Sequence, residues 1–154
     1  MEDVATRNRP QVASLDKAQA FAAGKHQLFI GGRWVEPQEG RRFATHDPAT
    51  GKHLGDVAEA READVDSAVA AARRAMDSSE WGSMKPAVRA RLLNRLADAL
   101  EANADEFAAL ETLDNGMPLR DARHFHLAHA IETIRYNAGW ATKLNGETIA
   151  LSGM

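Results

Sequence analysis

Leu110-Glu111-Thr112-Leu113-Asp114-Asn115-Gly116-Met117-Pro118 carries a helix into its own stop. Asn115-Gly116 can take the positive φ that a helix C-terminus needs, and Pro118, with no N–H and a fixed φ, keeps the old helix from continuing. Asp114 is thereby held at a corner where several backbone carbonyls are left over. An acid there faces the negative end of the helix dipole, which a cation or a backbone amide beyond the helix would relieve. Glu111 and Asp114, three residues apart on one face, have the spacing of two carboxylates that share a proton or a cation. The plainer reading of the pair is a solvated helix end.

Moving outward toward the N-terminus, Asn103 followed by Glu106 resembles a capping arrangement that starts this helix. The helix before it begins near Pro86 and ends around Glu101, with Val88, Leu92, Leu93, Leu96 and Leu100 on one side and Arg89, Arg91, Arg95 and Asp98 on others. Earlier still, Val65, Ala68, Val69, Ala72 and Met76 recur at helical spacing, with Glu62, Asp64 and Asp66 near the positive end of the dipole.

Moving outward toward the C-terminus, a last helix is predicted from about Leu119 to Leu144, closed by Asn145-Gly146. Leu127, Ile131, Ile134 and Ala138 form its core stripe, while Ala122, Phe125 and His129 fall on the opposite side. Two apolar faces need two partners, so Phe125 and His129 either pack against a second layer or line a cavity, and the sequence favours packing. His124, His126 and His129 cluster here, but no cysteine or third well-placed ligand accompanies them, which disfavours a transition metal. Beyond Gly146, Thr148-Ile149-Ala150-Leu151 reads as the opening of a strand.

The front of the chain is β-rich. Leu28-Phe29-Ile30 and Arg33-Trp34-Val35, separated by Gly31-Gly32, form a hairpin pattern. A second strand pair, Arg42 to His46 and His53 to Glu59, is joined by the turn residues Asp47-Pro48-Ala49-Thr50-Gly51. Residues 1–26 read as a loosely held arm with a short helix from Leu15 to Ala23. The fold class expected is α+β: N-terminal β-hairpins followed by about four helices.

Composition narrows the function. A net charge of −3 with both signs interspersed gives no basic stripe for nucleic acid. No apolar run reaches the roughly 18 residues of a membrane span and no secretory signal opens the chain, so a cytoplasmic location is the default expectation. Cysteine is absent, which removes a thiolate zinc site and a cysteine nucleophile from these residues. Gly31-Gly32 is no phosphate loop, since no helix follows it, and a Gly-x-Ser-x-Gly elbow is absent.

Several blocks, in order, resemble one family. Phe29-Ile30-Gly31-Gly32-Arg33-Trp34, Asp47-Pro48-Ala49-Thr50-Gly51, Asp64 to Val69, Leu92 to Asp98, Ala109 to Pro118 and Arg135 to Ala141 are similar to the N-terminal part of the NAD(P)-dependent aldehyde dehydrogenases. The likeness runs from about residue 27 to the end and is greatest to the tetrameric branch acting on small and aryl aldehydes, which includes phenylacetaldehyde dehydrogenases. It implies that residues 27–154 are the first, incomplete part of an α/β cofactor-binding domain, with the Rossmann core, the catalytic domain and most of the oligomerisation arm lying elsewhere. In that family a cysteine thiolate attacks the aldehyde, a hydride passes to NAD or NADP, and a glutamate activates the hydrolytic water. The family's catalytic and cofactor-binding groups match no residue here, so the resemblance implies that this chain by itself is inactive.

Two roles carry over by matching position. Thr45, His46 and Asp114 correspond to residues that hold a structural monovalent cation, and oxygen donors suit such a hard ion. Phe125 and His129 correspond to residues at the mouth of the substrate tunnel. His46 and Met117 depart from the family's commoner residues, and His129 stands where relatives often carry Met. The resemblance further implies an aldehyde substrate, a homo-oligomer (dimer or tetramer) bridged by an arm starting near Thr148, and apolar faces prone to aggregation when left unpartnered. A non-catalytic helical interaction module reusing this segment is the alternative.

Overall fold

A computed structural model describes residues 9–77 and 80–146, the side chains of 9–13 excepted. The expected strand at Thr148 to Leu151 lies outside the described residues.

Helix α1 (Arg9–Ala22) leads into β1 (Lys25–His26), the hairpin β2 (Leu28–Ile30) and β3 (Arg33–Val35), and the second pair β4 (Arg42–His46) and β5 (His53–Ala58). Both predicted hairpins form: Phe29 pairs with Trp34, and Phe43 with Val57, in antiparallel register. Gly31 and Gly32, at φ 61° and 80°, make the tight turn of the first. Strand β1 adds to β5 in parallel, Lys25 opposite Asp56, giving the order β1-β5-β4.

The helix at the front departs from expectation. It begins at Arg9 rather than Leu15, and one face of it is docked: Ala18 is buried against Ala109 and Leu113, with Leu15, Leu54, Leu110 and Leu119 around them. Small residues at the contact let the two helices approach closely, a pattern that local polarity in residues 1–26 conceals. Gly55 is part of the same closure, because a side chain there would overlap the Ala22 carbonyl.

Five further α-helical pieces precede the last long helix: α2 (Glu62–Asp77), α3 (Glu80–Ser83), α4 (Pro86–Ala102), α5 (Ala104–Asn115) and α6 (Leu119–Asp121). A π-helical segment, Ala122–His126, joins α6 to α7 (Leu127–Trp140). Helices α4 and α7, with Ala104 at the start of α5, form the second core, where Ala97, Ala104, Leu127 and Ile131 are buried and Leu100 and Ile134 pack on them. Arg135 of α7 clamps this pair from outside, reaching Asp98 at 2.9 Å and Glu101 at 2.6 Å, and those two carboxylates push its pKa up, Glu101 the more. The predicted stripe of α7 is thus borne out.

Other local expectations change. Asn103 does not cap α5 with its side chain; its amide donates instead to the Ala99 carbonyl at 2.8 Å, closing the end of α4. The last helix stops at Trp140, four residues before Leu144. The apolar stripe of α2 stays outside, Val65 and Val69 being 52% and 60% exposed, while Asp64 is the buried residue of that helix. Periodicity identifies an apolar face but not the element that covers it.

Candidate functional site

The stretch that stops α5 is built as the sequence predicts. Gly116 sits at φ 78°, its N–H donating to the Thr112 carbonyl at 3.0 Å. The Asn115 side-chain oxygen accepts from the Met117 N–H at 2.8 Å, which turns the chain toward Pro118. The corner faces a cleft of about 480 Å³ between the end of α1, strands β4 and β5, and α5. Phe21, Leu54, Val57, Phe107 and Leu110 form its apolar walls, and Thr45, Glu111 and Asp114 its polar part. That size suits a small ligand or a few side chains of a covering element.

Within this cleft the predicted residues separate. Thr45 and Asp114 face the same space, Thr45 with its hydroxyl donating to the Gly55 carbonyl at 3.2 Å. The carboxylate of Asp114 carries no hydrogen bond or ion pair among the described residues, so its oxygens remain available to a cation. His46 lies one residue on, at an irregularity in the β4–β5 ladder, with its ring edge-on to His53 at 5.7 Å and outside the cleft wall. Only its backbone carbonyl suits the ligand role that the resemblance assigns. Glu111 does not share its charge with Asp114: its Oε1 lies 3.0 Å from His126 Nδ1 on the π segment.

Phe125 and His129 are both exposed, Phe125 by 66%, and they stand apart from the cleft. The expected packing of Phe125 under a second layer is not made by any described residue. Ala122, placed on their face by α-helical spacing, is instead fully buried. The π segment accounts for this, since Leu127 N–H donates to the Ala122 carbonyl five residues back and the helical phase slips across it. His124, His126 and His129 gather no metal site, and no group of three potential metal ligands occurs among the described residues.

Two polar clusters escaped the sequence reading. Asp64, at the start of α2, accepts the N–H of Arg61 and of Gln38, each at 3.0 Å, and so fastens the loop after β3. Glu36 receives Lys25 Nζ, Arg42 Nη2 and Gln27 Nε2, each at 2.8 Å. Those donors, Lys25 foremost, hold its carboxyl down to about 2. The Asp64–Arg61 contact is local to the helix start, but Gln38 lies 26 residues from Asp64 and the donors to Glu36 come from other strands and loops, which local spacing does not signal.

Residues 34–154 match the aldehyde dehydrogenase family. The chain belongs to that family. It is 47% identical over 137 residues to DhaS of Bacillus subtilis (strain 168), named as an aldehyde dehydrogenase, covering 89% of this chain and 28% of that one. Phenylacetaldehyde dehydrogenase of Pseudomonas fluorescens is 45% identical over 127 residues, covering 82% of this chain and 25% of the relative. The NAD+ complex of an aldehyde dehydrogenase from Bacillus cereus superposes with a TM-score of 0.85 at 43% identity, over 88% of this chain and 28% of that one. The chain therefore spans about a quarter of the length of these two relatives. No helix among the described residues is long and apolar enough to cross a membrane.

Proposed function

We propose that this chain supplies the N-terminal part of an NAD(P)-dependent aldehyde dehydrogenase, which oxidises an aldehyde to a carboxylic acid. The family match over residues 34–154, together with a sequence that contains no cysteine, carries the reading. When bound, the nicotinamide accepts the hydride; no residue of this chain is assigned to holding it. The chain's own part is architectural: α4, α5 and α7 buttress the cofactor domain, and Phe125 and His129 stand at the entrance to the substrate channel. Similarity to phenylacetaldehyde dehydrogenase supports an aryl aldehyde as substrate. Asp114 and Thr45, with the His46 carbonyl, hold a monovalent cation at the cleft; their shared exposure to it and the unengaged Asp114 carboxylate support this. A homo-oligomeric enzyme in the cytoplasm completes the proposal.

The test is fragment complementation. Alone, the 154-residue chain should produce no NADH from NAD+ and phenylacetaldehyde. Co-expressed with the part of the Bacillus cereus enzyme that follows its matched segment, it should assemble and restore NADH formation. Turnover by the chain alone, or a folded chain that never associates, would overturn the reading.

A further inference from the structure

The helix stop and the π segment are mechanically connected. The Asn115 amide reaches Glu111 Oε1 at 3.5 Å, and Glu111 in turn accepts the N–H of His126 Nδ1 at 3.0 Å. A second cross-link, Arg123 Nε to Asp105 Oδ1 at 2.7 Å, ties the same five-residue segment to the start of α5. Phe125 lies between the two tethered residues and projects to solvent. The His126 and Glu111 side chains are 52% and 28% exposed, and a pair so accessible adds little to overall stability. Its effect is geometric. A π segment accommodates an extra residue, and relaxing it to regular α-helix turns the residues on one side by about 100° relative to those on the other.

We propose that Glu111 and His126 are a positioning pair: their contact holds the π segment and thereby sets the direction in which Phe125 projects. This makes the pair a determinant of aldehyde size preference, acting through Phe125 without touching substrate. The consequence for substrate rests on the reading of Phe125 as a channel residue, whereas the positioning does not.

The experiment labels the chain with 4-fluorophenylalanine at its five phenylalanines and reads the fluorine NMR spectrum, with Phe125→Leu identifying the Phe125 signal. In His126→Ala the Phe125 resonance should move more than the other four. In His126→Gln, whose amide can still donate to Glu111, it should return toward the wild-type position. A Phe125 signal that stays put in folded His126→Ala, or that moves equally in His126→Gln, overturns the proposal. If His126→Ala does not fold, Glu111→Ala breaks the contact from the other helix and the same criterion decides. Unfolding of both also overturns it, because the pair would then be a stability clamp. No turnover is involved, so failure here leaves the aldehyde-oxidation reading standing, and failed complementation leaves this result standing.

Discussion

Pro48 rests on Gly116: a Cβ at position 116 would stand 3.0 Å from Pro48 Cγ, and Gly116 has a φ of 78°. Two motifs that the sequence shows separately, the turn after β4 and the stop of α5, are thus one contact. Gly116→Ala should destabilise the chain by about 1–3 kcal/mol, combining the left-handed backbone penalty with the push on Pro48. Gly40 also has positive φ (65°) but nothing within 4 Å of its would-be Cβ, so Gly40→Ala should cost only the first part. Urea unfolding of the two variants, compared through their midpoints at constant slope, checks the difference.

At Gly55 the obstacle is backbone. An alanine there collides with the Ala22 carbonyl at the end of α1, and a carbonyl fixed in a helix has little room to yield. Gly55→Ala should therefore loosen α1 from the sheet while α4 and α7 keep their packing. Hydrogen exchange should rise over residues 14–26 and remain unchanged around Ile131; equal acceleration everywhere would contradict this.

Asp64 is 3% exposed and engages two backbone N–H groups. Asp64→Ala leaves those amides without their partner and should cost about 1–3 kcal/mol. Asp64→Asn keeps one acceptor oxygen and should recover part of the loss. Paired thermal melts of the two variants measure the ordering.

Acid should act on the Glu36 cluster. Its carboxyl is held at about 2, below its ordinary 4.5, so the folded state favours the charged form. The contribution is fully present above the ordinary value and is lost as pH falls from there through about 2. Glu36→Gln should flatten that part of the stability curve. Asp47, lowered by the Thr50 hydroxyl and then the Ala49 amide, works in the same direction and should leave a residual slope in the variant. Denaturant midpoints across the acid range test this; an unaltered slope would rule Glu36 out.

The exposed stripe of α2 should govern association. Val65, Val69 and Met76 are each more than half exposed. Replacing Val65 and Val69 with lysine should leave the helix content unchanged and make the chain more monodisperse, as light scattering and circular dichroism would show. A loss of helicity would mean that these side chains support the fold after all.

Much of the secondary structure was legible because it depends on neighbours in sequence. The Gly31-Gly32 hairpin, the Pro86 start and the Asn115-Gly116 stop each follow from what a residue's own φ or missing N–H permits. The Leu127, Ile131 and Ala138 stripe follows from period. What failed were inferences that extend a period across an irregularity, as with Ala122, or that infer looseness from polarity, as with the segment holding Ala18. For the candidate site, Thr45 and Asp114 line one cleft, far apart in sequence, whereas Glu111 turned to a partner that spacing could not name.

The sequence by itself determined the family, the order of the two hairpins and the longer helices, and the corner at Asp114, since these reside in local stereochemistry and in a pattern shared with relatives. Only the tertiary structure decided that α1 docks on α5, that Asp64 reaches Gln38 and Glu36 gathers Lys25, Gln27 and Arg42, and that a π segment takes up Ala122 and Phe125. Those outcomes depend on which surfaces meet once the chain folds back on itself. Such meetings are set by three-dimensional shape and by backbone groups far away along the chain, and no local spacing encodes them.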